Sequence, residues 1–191
     1  MLNSLEGRRP EVRSRPPYPA DQGLFVRPGL YEIEFGIPLR QIVEDLGGGL
    51  KTGEIQGIMI GGPLAGIIPP HLFDTNFGFE ELAAIGGSVG HGGIIAFDER
   101  TSFPELIHHI FEFAAFESCG KCMPCRLGSR RIEQIFRQTI TSRASPKEQQ
   151  ECKEIISTLA MTSACGLGTG LADFAKSVLR YYPKEFESCF A

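Results

Sequence analysis

The stretch Glu117-Ser-Cys-Gly-Lys-Cys-Met-Pro-Cys-Arg-Leu-Gly128 spaces three thiols, Cys119, Cys122 and Cys125, three residues apart. Before it, Leu106, Ile107, Ile110, Phe111 and Ala114 recur at helical spacing, and after it Ile132, Ile135, Phe136, Thr139 and Ile140 do the same from a start near Arg126. The thiols therefore sit in a connection between two amphipathic helices. Ser102-Phe-Pro-Glu105 has the form of a capping box opening the first helix. A third helix opens at Ser145-Pro146 and carries Cys152, Ile155, Ile156 and Leu159 on one side. In a fourth, Leu171, Phe174, Ala175, Val178, Leu179 and Tyr182 form an apolar stripe that Pro183 stops. Four such helices with short links predict a small antiparallel bundle over residues 101–185.

A fourth thiol, Cys165 in Ser163-Ala-Cys-Gly-Leu-Gly168, falls between helices three and four. In an up-down-up-down bundle that connection lies at the same end as Cys119–Cys125, so the four thiols converge, with two helix N-termini aimed at them. Gly120, Gly166, Gly168 and Gly170 allow a tight backbone around the site. Three closely spaced thiols plus a distant one is the commoner iron-sulfur arrangement, whereas structural zinc usually takes two separated pairs. A disulfide framework belongs mainly to secreted chains, and Met-Leu-Asn-Ser-Leu-Glu-Gly-Arg-Arg lacks the apolar run of a signal peptide. Of the remaining cysteines, Cys152 reads as a small buried hydrophobe on its helical stripe and Cys189 as a free thiol or a frayed terminus. His71, His108 and His109 read as ordinary surface or core residues.

The N-terminal half has a different texture. Residues 1–28 contain Pro10, Pro16, Pro17, Pro19 and Pro28 with five arginines, which reads as an extended arm. Residues 29–85 combine an alternating strand over Leu30–Phe35, helical spacing over Pro38–Leu46 and a buried strand over Ile55–Ile60, a small α+β module of ubiquitin-like size. Residues 86–100 are a glycine-rich loop interrupted by His91, leading into the strand Ile94–Phe97. That loop lacks both the G-x-G-x-x-G spacing before a helix and a P-loop lysine, so it reads as a tight connector rather than a nucleotide cradle.

Composition narrows the function classes. A net charge of −4 argues against a generic nucleic-acid binder, and no stretch approaches the roughly 20 apolar residues of a membrane-spanning helix. The expectation is a cytoplasmic location, with any membrane association running through partners. Lys121, Arg126, Arg130, Arg131, Arg137, Arg143 and Lys147 face a single acid, Glu133, between Lys121 and Lys147, a local basic field suited to offset thiolate charge.

The segments Glu117–Gly128 and Ser163–Gly168 resemble the C-terminal iron-sulfur domain of the NADH-binding flavoprotein subunit of respiratory complex I and of its relatives in NAD-dependent formate dehydrogenases and bidirectional hydrogenases. Gly29 to about Pro70 looks like that family's β-grasp (SLBB) module, and Gly86–Asp98 is similar to its link to the helical domain. The fold class expected is thus α+β: a β-grasp domain followed by a four-helix iron-sulfur bundle. By that resemblance Cys119, Cys122, Cys125 and Cys165 bind one [4Fe-4S] cluster that accepts electrons one at a time from reduced FMN. The family's flavin domain has no counterpart here: Ser4–Pro10 with Pro16–Ala20 and Gly23–Phe25 look like a late segment of it, after which the chain passes straight to the β-grasp start. FMN and NAD are accordingly not expected in this chain, and no catalytic residue is assigned.

Two functions of different class follow. In the first, the chain is a non-catalytic electron-transfer subunit whose partners are other flavin- or iron-sulfur-containing subunits of an oxidoreductase complex. In the second, the metal group is a staple for a small bundle, and the β-grasp module and arm dock partners. A variant of the first is one half of a split NADH-oxidising flavoprotein.

Overall fold

In the computed structural model the described residues are 11–12 and 24–191. They divide into two compact units, Met1–Arg100 and Thr101–Ala191. Most of the arm expected over residues 1–28 lies outside the described residues.

The first unit is built on a five-stranded, mostly antiparallel sheet. Its strands are β1 (Glu11–Val12), β2 (Gly29–Leu30), β3 (Ile55–Ile60), β4 (Ile67–Ile68) and β5 (Ile94–Asp98), in the spatial order β2-β1-β5-β3-β4. The β-branched runs of β3 and β5 pair antiparallel from Ile60↔Ile94 to Ile55↔Asp98, with a bulge between Ile55 and Gly57. Only β1 and β5 pair in parallel, at Val12↔Ile94. The strand expected over Leu30–Phe35 is shorter: only Gly29–Leu30 joins the ladder, antiparallel to β1. Its alternation is nonetheless real, since Tyr31 and Ile33 pack on the core while Glu32 and Glu34 are exposed. Alternation reports which way side chains face, not whether the backbone has a ladder partner.

Helical spacing over Pro38–Leu46 is met by a helix of π character, Gln41–Leu46, in which the Gly47 N–H reaches back to Ile42 O at 2.9 Å. It buries Ile42 and Val43 in a core shared with Phe25, Ile58, Phe73 and Phe77. A short helix, α1 (Phe79–Ala84), precedes the glycine-rich segment. There the Gly61 N–H donates to Gly93 O at 2.9 Å, and a Cβ on Gly61 would lie 2.8 Å from Val89 O. That close approach is why both segments are glycine-rich.

The second unit contains the four long helices α2 (Phe103–Glu117), α3 (Met123–Thr139), α4 (Pro146–Thr162) and α5 (Gly166–Tyr181), with a short α6 (Pro183–Ser188). Neighbours in sequence pack on one another, and α5 also packs on α2 and α3. The capping box forms at Ser145, whose hydroxyl accepts the Glu148 N–H while the Glu148 carboxylate accepts the Ser145 N–H. At Ser102 the side chain makes no cap bond, so the box expected there is absent; Ser102 caps through its backbone alone, its carbonyl accepting the Leu106 N–H. The C-terminus is not frayed. Ala144 exchanges backbone bonds with Cys189 and Ala191, Phe186 and Phe190 pack on Phe136, and Cys189 is buried. Among the described residues no helix is long and apolar enough to cross a membrane.

Candidate metal centre

The connection between α2 and α3 is only five residues long, and its thiols divide between loop and helix. Cys119 lies in the loop and is exposed, followed by Gly120 at φ +73, a left-handed position that glycine adopts without strain. Cys122 is the N-cap of α3, and Cys125 lies in that helix's first turn, buried. The helix begins at Met123, ahead of the start near Arg126 that the apolar stripe suggests, because Pro124 occupies a first-turn position where a missing N–H costs nothing. Cys165 is the N-cap of α5 and is exposed. Two of the four thiols therefore occupy helix N-caps, at the positive end of the peptide dipoles.

The two connections meet. The Cys122 sulfur accepts backbone hydrogen bonds from Ala164 first and Cys125 second, which lowers its pKa below the usual 9.0. Burial pushes the Cys125 thiol up; the Ser118 hydroxyl, 3.4 Å from its sulfur, works against that, and the charges of Cys122, Cys165 and Cys119 add to the rise. Cys125 thus lies within electrostatic reach of all three other thiols. Ser118 Oγ also accepts the Gly120 N–H at 3.3 Å, which leaves its proton to point at sulfur.

Of the four glycines, only Gly120 takes a positive φ; Gly166, Gly168 and Gly170 belong to α5. What Gly168 supplies is space. A Cβ there would lie 2.3 Å from Ser163 Oγ and 3.3 Å from Cys125 Cβ. Ser163 Oγ is itself buried without a hydrogen-bond partner. A sulfur-rich donor set, a cradle kept clear of side chains and an orphaned hydroxyl beside it fit a thiolate-ligated cluster.

The other sequence candidates are elsewhere. Cys152 is fully buried and Cys189 nearly so, burial pushing their thiols to about 12 and about 11. His91 uses Nδ1 to accept the Gly93 N–H at 3.1 Å. Among the basic residues, Arg131 binds Glu151 at 2.7 Å and Arg137 binds Glu133 at 2.6 Å, whereas Lys121 and Arg126 are exposed beside the thiols. Sequence reasoning missed one polar cluster: buried Glu133 also bonds His108 at 2.9 Å, with Glu112 close by. The signal was present as His108 and Glu112 one turn apart on α2, but their apolar neighbours masked it.

Residues 105–189 match the family model of the NADH-ubiquinone oxidoreductase-F iron-sulfur binding region. That match spans both cysteine-bearing connections. The F-type relatives include the NADH-quinone oxidoreductase F-subunit 2 of Rhizobium meliloti (strain 1021), 28% identical over 233 residues that take in 97% of this chain and 55% of the relative. The NADP-reducing hydrogenase subunit HndC of Solidesulfovibrio fructosivorans is 25% identical, with 98% of this chain matched to 48% of it. The chain thus spans about half the length of these relatives. The match to the R. meliloti relative runs over more residues than the 191 of this chain, so that relative carries stretches inside the matched region without counterpart here. An NAD+-reducing [NiFe]-hydrogenase, in its air-oxidized state, shares the fold with a TM-score of 0.80 at 22% identity over 96% of this chain and 30% of the hydrogenase chain.

Proposed function

We propose that this chain is an electron-transfer subunit of a multi-subunit oxidoreductase, holding one [4Fe-4S] cluster through Cys119, Cys122, Cys125 and Cys165. The observation that carries it is the electrostatic convergence of the Cys119, Cys122 and Cys165 thiols on buried Cys125, two of the four at helix N-caps, inside an F-type iron-sulfur region. When bound, the cluster supplies one-electron transfer between redox partners. Cys122, held by the N–H groups of Ala164 and Cys125, is the thiol most ready to ligate as thiolate, and Cys125 is the buried thiol of the four. The reading of the architecture is a four-helix bundle for the second unit and a β-grasp module of SLBB type for the first.

Partner subunits are supported by an exposed apolar belt around the thiol end. Phe116 is 83% exposed and Met161 74%, with Met123 and Leu127 also largely exposed, each within a few residues of a cysteine. Apolar side chains there fit a docked redox subunit that brings its own centre close. Flavin and nicotinamide chemistry is assigned to a segment or chain other than the residues described. The protein is proposed to work on the cytoplasmic side as part of that assembly.

Anaerobic reconstitution followed by iron, sulfide and zinc analysis tests the cluster. The expected result is about four irons and four sulfides per chain, lost in Cys122→Ser and retained in Cys152→Ala. Zinc without sulfide, or full electron flux through the native complex with Cys122→Ser, would sink the proposal. Flavin analysis of the co-purified complex locates the FMN.

A further inference from the structure

Helix α4 ends in three hydroxyl residues that behave differently. Thr158 donates to Glu154 O at 2.8 Å and Thr162 to Thr158 O at 2.7 Å, the ordinary back-bond of a helical threonine. The buried hydroxyl of Ser129 likewise donates to Cys125 O at 2.6 Å. Ser163, the C-cap, has turned away: its backbone N–H reaches Leu159 O at 3.2 Å, but its hydroxyl is buried with no partner. A buried hydroxyl without a partner carries a desolvation cost that folded proteins rarely leave standing.

The surroundings indicate what it awaits. Gly168 faces it from the first turn of α5, and the space a side chain there would fill is bounded on its far side by Cys125 Cβ at 3.3 Å. Residue 164 binds the Cys122 sulfur and residue 165 is itself a candidate ligand, so Ser163 adjoins the site in the chain, and its hydroxyl lies on the Gly168 side, where Cys125 Cβ also borders. Ser118 already places a hydroxyl 3.4 Å from the Cys125 sulfur.

We propose that Ser163 is a positioning residue that donates a hydrogen bond to the sulfur-ligated group at this site, complementing Ser118, and thereby raises its reduction potential. This rests on the cluster reading given above. A donor aimed at sulfur stabilises the more negative, reduced state more than the oxidised one. Removing the donor lowers the potential.

The test is an EPR-monitored redox titration of the reconstituted full chain, with iron and sulfide quantified in every sample. Ser163→Ala is expected to shift the reduction equilibrium about tenfold, a fall of about 59 mV for a one-electron couple, at unchanged iron content. Ser163→Gly removes the hydroxyl at an extended C-cap position where glycine is tolerated, and is expected to show the same fall should the alanine variant not assemble. Ser163→Thr restores the hydroxyl and the potential, and Thr162→Ala leaves it unmoved. An unchanged potential in a fully loaded Ser163→Ala or Ser163→Gly protein overturns the proposal while leaving the cluster intact. Absence of iron and sulfide from the wild-type chain overturns both, so the two failures are distinct.

Discussion

The sulfur of Cys122, at the N-cap of α3, accepts a hydrogen bond from the backbone N–H of Ala164, the residue before the N-cap of α5. One backbone group therefore ties the triple-cysteine connection to the distant one. It also favours the Cys122 thiolate, since an N–H donor stabilises the charged form. Ala164→Pro removes that donor. In the apo protein its Cys122 pKa moves up toward the ordinary 9.0, the thiolate fraction at neutral pH falls, and alkylation of Cys122 slows several-fold. Mass-spectrometric kinetics of iodoacetamide labelling check this; an unchanged rate with intact helical CD would show that the Ala164 bond is not what activates the thiol.

Glycines inside α3 and α5 reverse the usual helix rule. Gly to Ala in a helix ordinarily stabilises by about 1 kcal/mol. At Gly128 an added Cβ would lie 2.8 Å from Ile155 Cγ2, and at Gly168 2.3 Å from Ser163 Oγ. Both substitutions are expected to destabilise instead, by about 1–3 kcal/mol for overpacking, and Gly168→Ala is additionally expected to reduce iron uptake. Urea denaturation of the two variants and iron analysis of the second provide the measurement.

Acid should loosen the second unit through α4. Hydrogen bonds from Ser145 and then the charge of Arg131 hold the Glu148 carboxyl below its usual 4.5, and Arg131 does the same for Glu151. A carboxylate depressed by folding contributes stability that is present above 4.5 and is lost as pH falls through its lower folded value. Thermal melts below pH 4.5 are expected to show falling stability, with a shallower slope in Glu148→Gln. Ser145→Ala should cost about 1 kcal/mol at neutral pH by removing the cap.

Thiol chemistry separates the two classes of cysteine. Burial pushes Cys152 to about 12 and Cys189 to about 11, so neither is an available thiolate near neutrality. In the folded apo protein Cys119, Cys122 and Cys165 are expected to react with a disulfide reagent first, Cys125 slowly, and Cys152 and Cys189 only on unfolding. Rapid labelling of Cys152 in the native state would contradict its place in the core.

Glu133 anchors a buried polar knot that holds α2 to α3. It accepts from His108 at 2.9 Å and from Arg137 at 2.6 Å while only 7% exposed. Glu133→Ala leaves the His108 ring N–H and the Arg137 guanidinium without their acceptor and is expected to cost about 1–3 kcal/mol, chiefly for the largely buried imidazole. Glu133→Gln, which retains an acceptor oxygen, should cost less. Chemical denaturation of both variants decides between them.

Much of this was readable from residue order. The four long helices stand where apolar residues recur every three or four positions, because burial of one face is a local, periodic demand. Buried β3 and β5 were legible from their β-branched runs for a similar reason. Less legible were helix starts and partners. The first turn of α3 contains Met123-Pro-Cys125, which carries no apolar stripe, and the first turn of α5 is built on glycines that read as loop. The capping box expected at Ser102 formed instead at Ser145: the S-x-x-E pattern occurs at both, and only the local backbone decides whether both reciprocal bonds close.

The sequence by itself determined that Cys119, Cys122 and Cys125 share one connection between helices, that Cys165 occupies another, and that the chain resembles an iron-sulfur protein, since spacing along a chain is a covalent fact. Tertiary structure alone decided that Ala164 reaches the Cys122 sulfur, that Cys125 is the buried thiol of the four, and that Gly168 and Ser163 face it across α4 and α5. Those are contacts between segments far apart in sequence, set by how the helices pack, and periodicity within one helix has no knowledge of its neighbour.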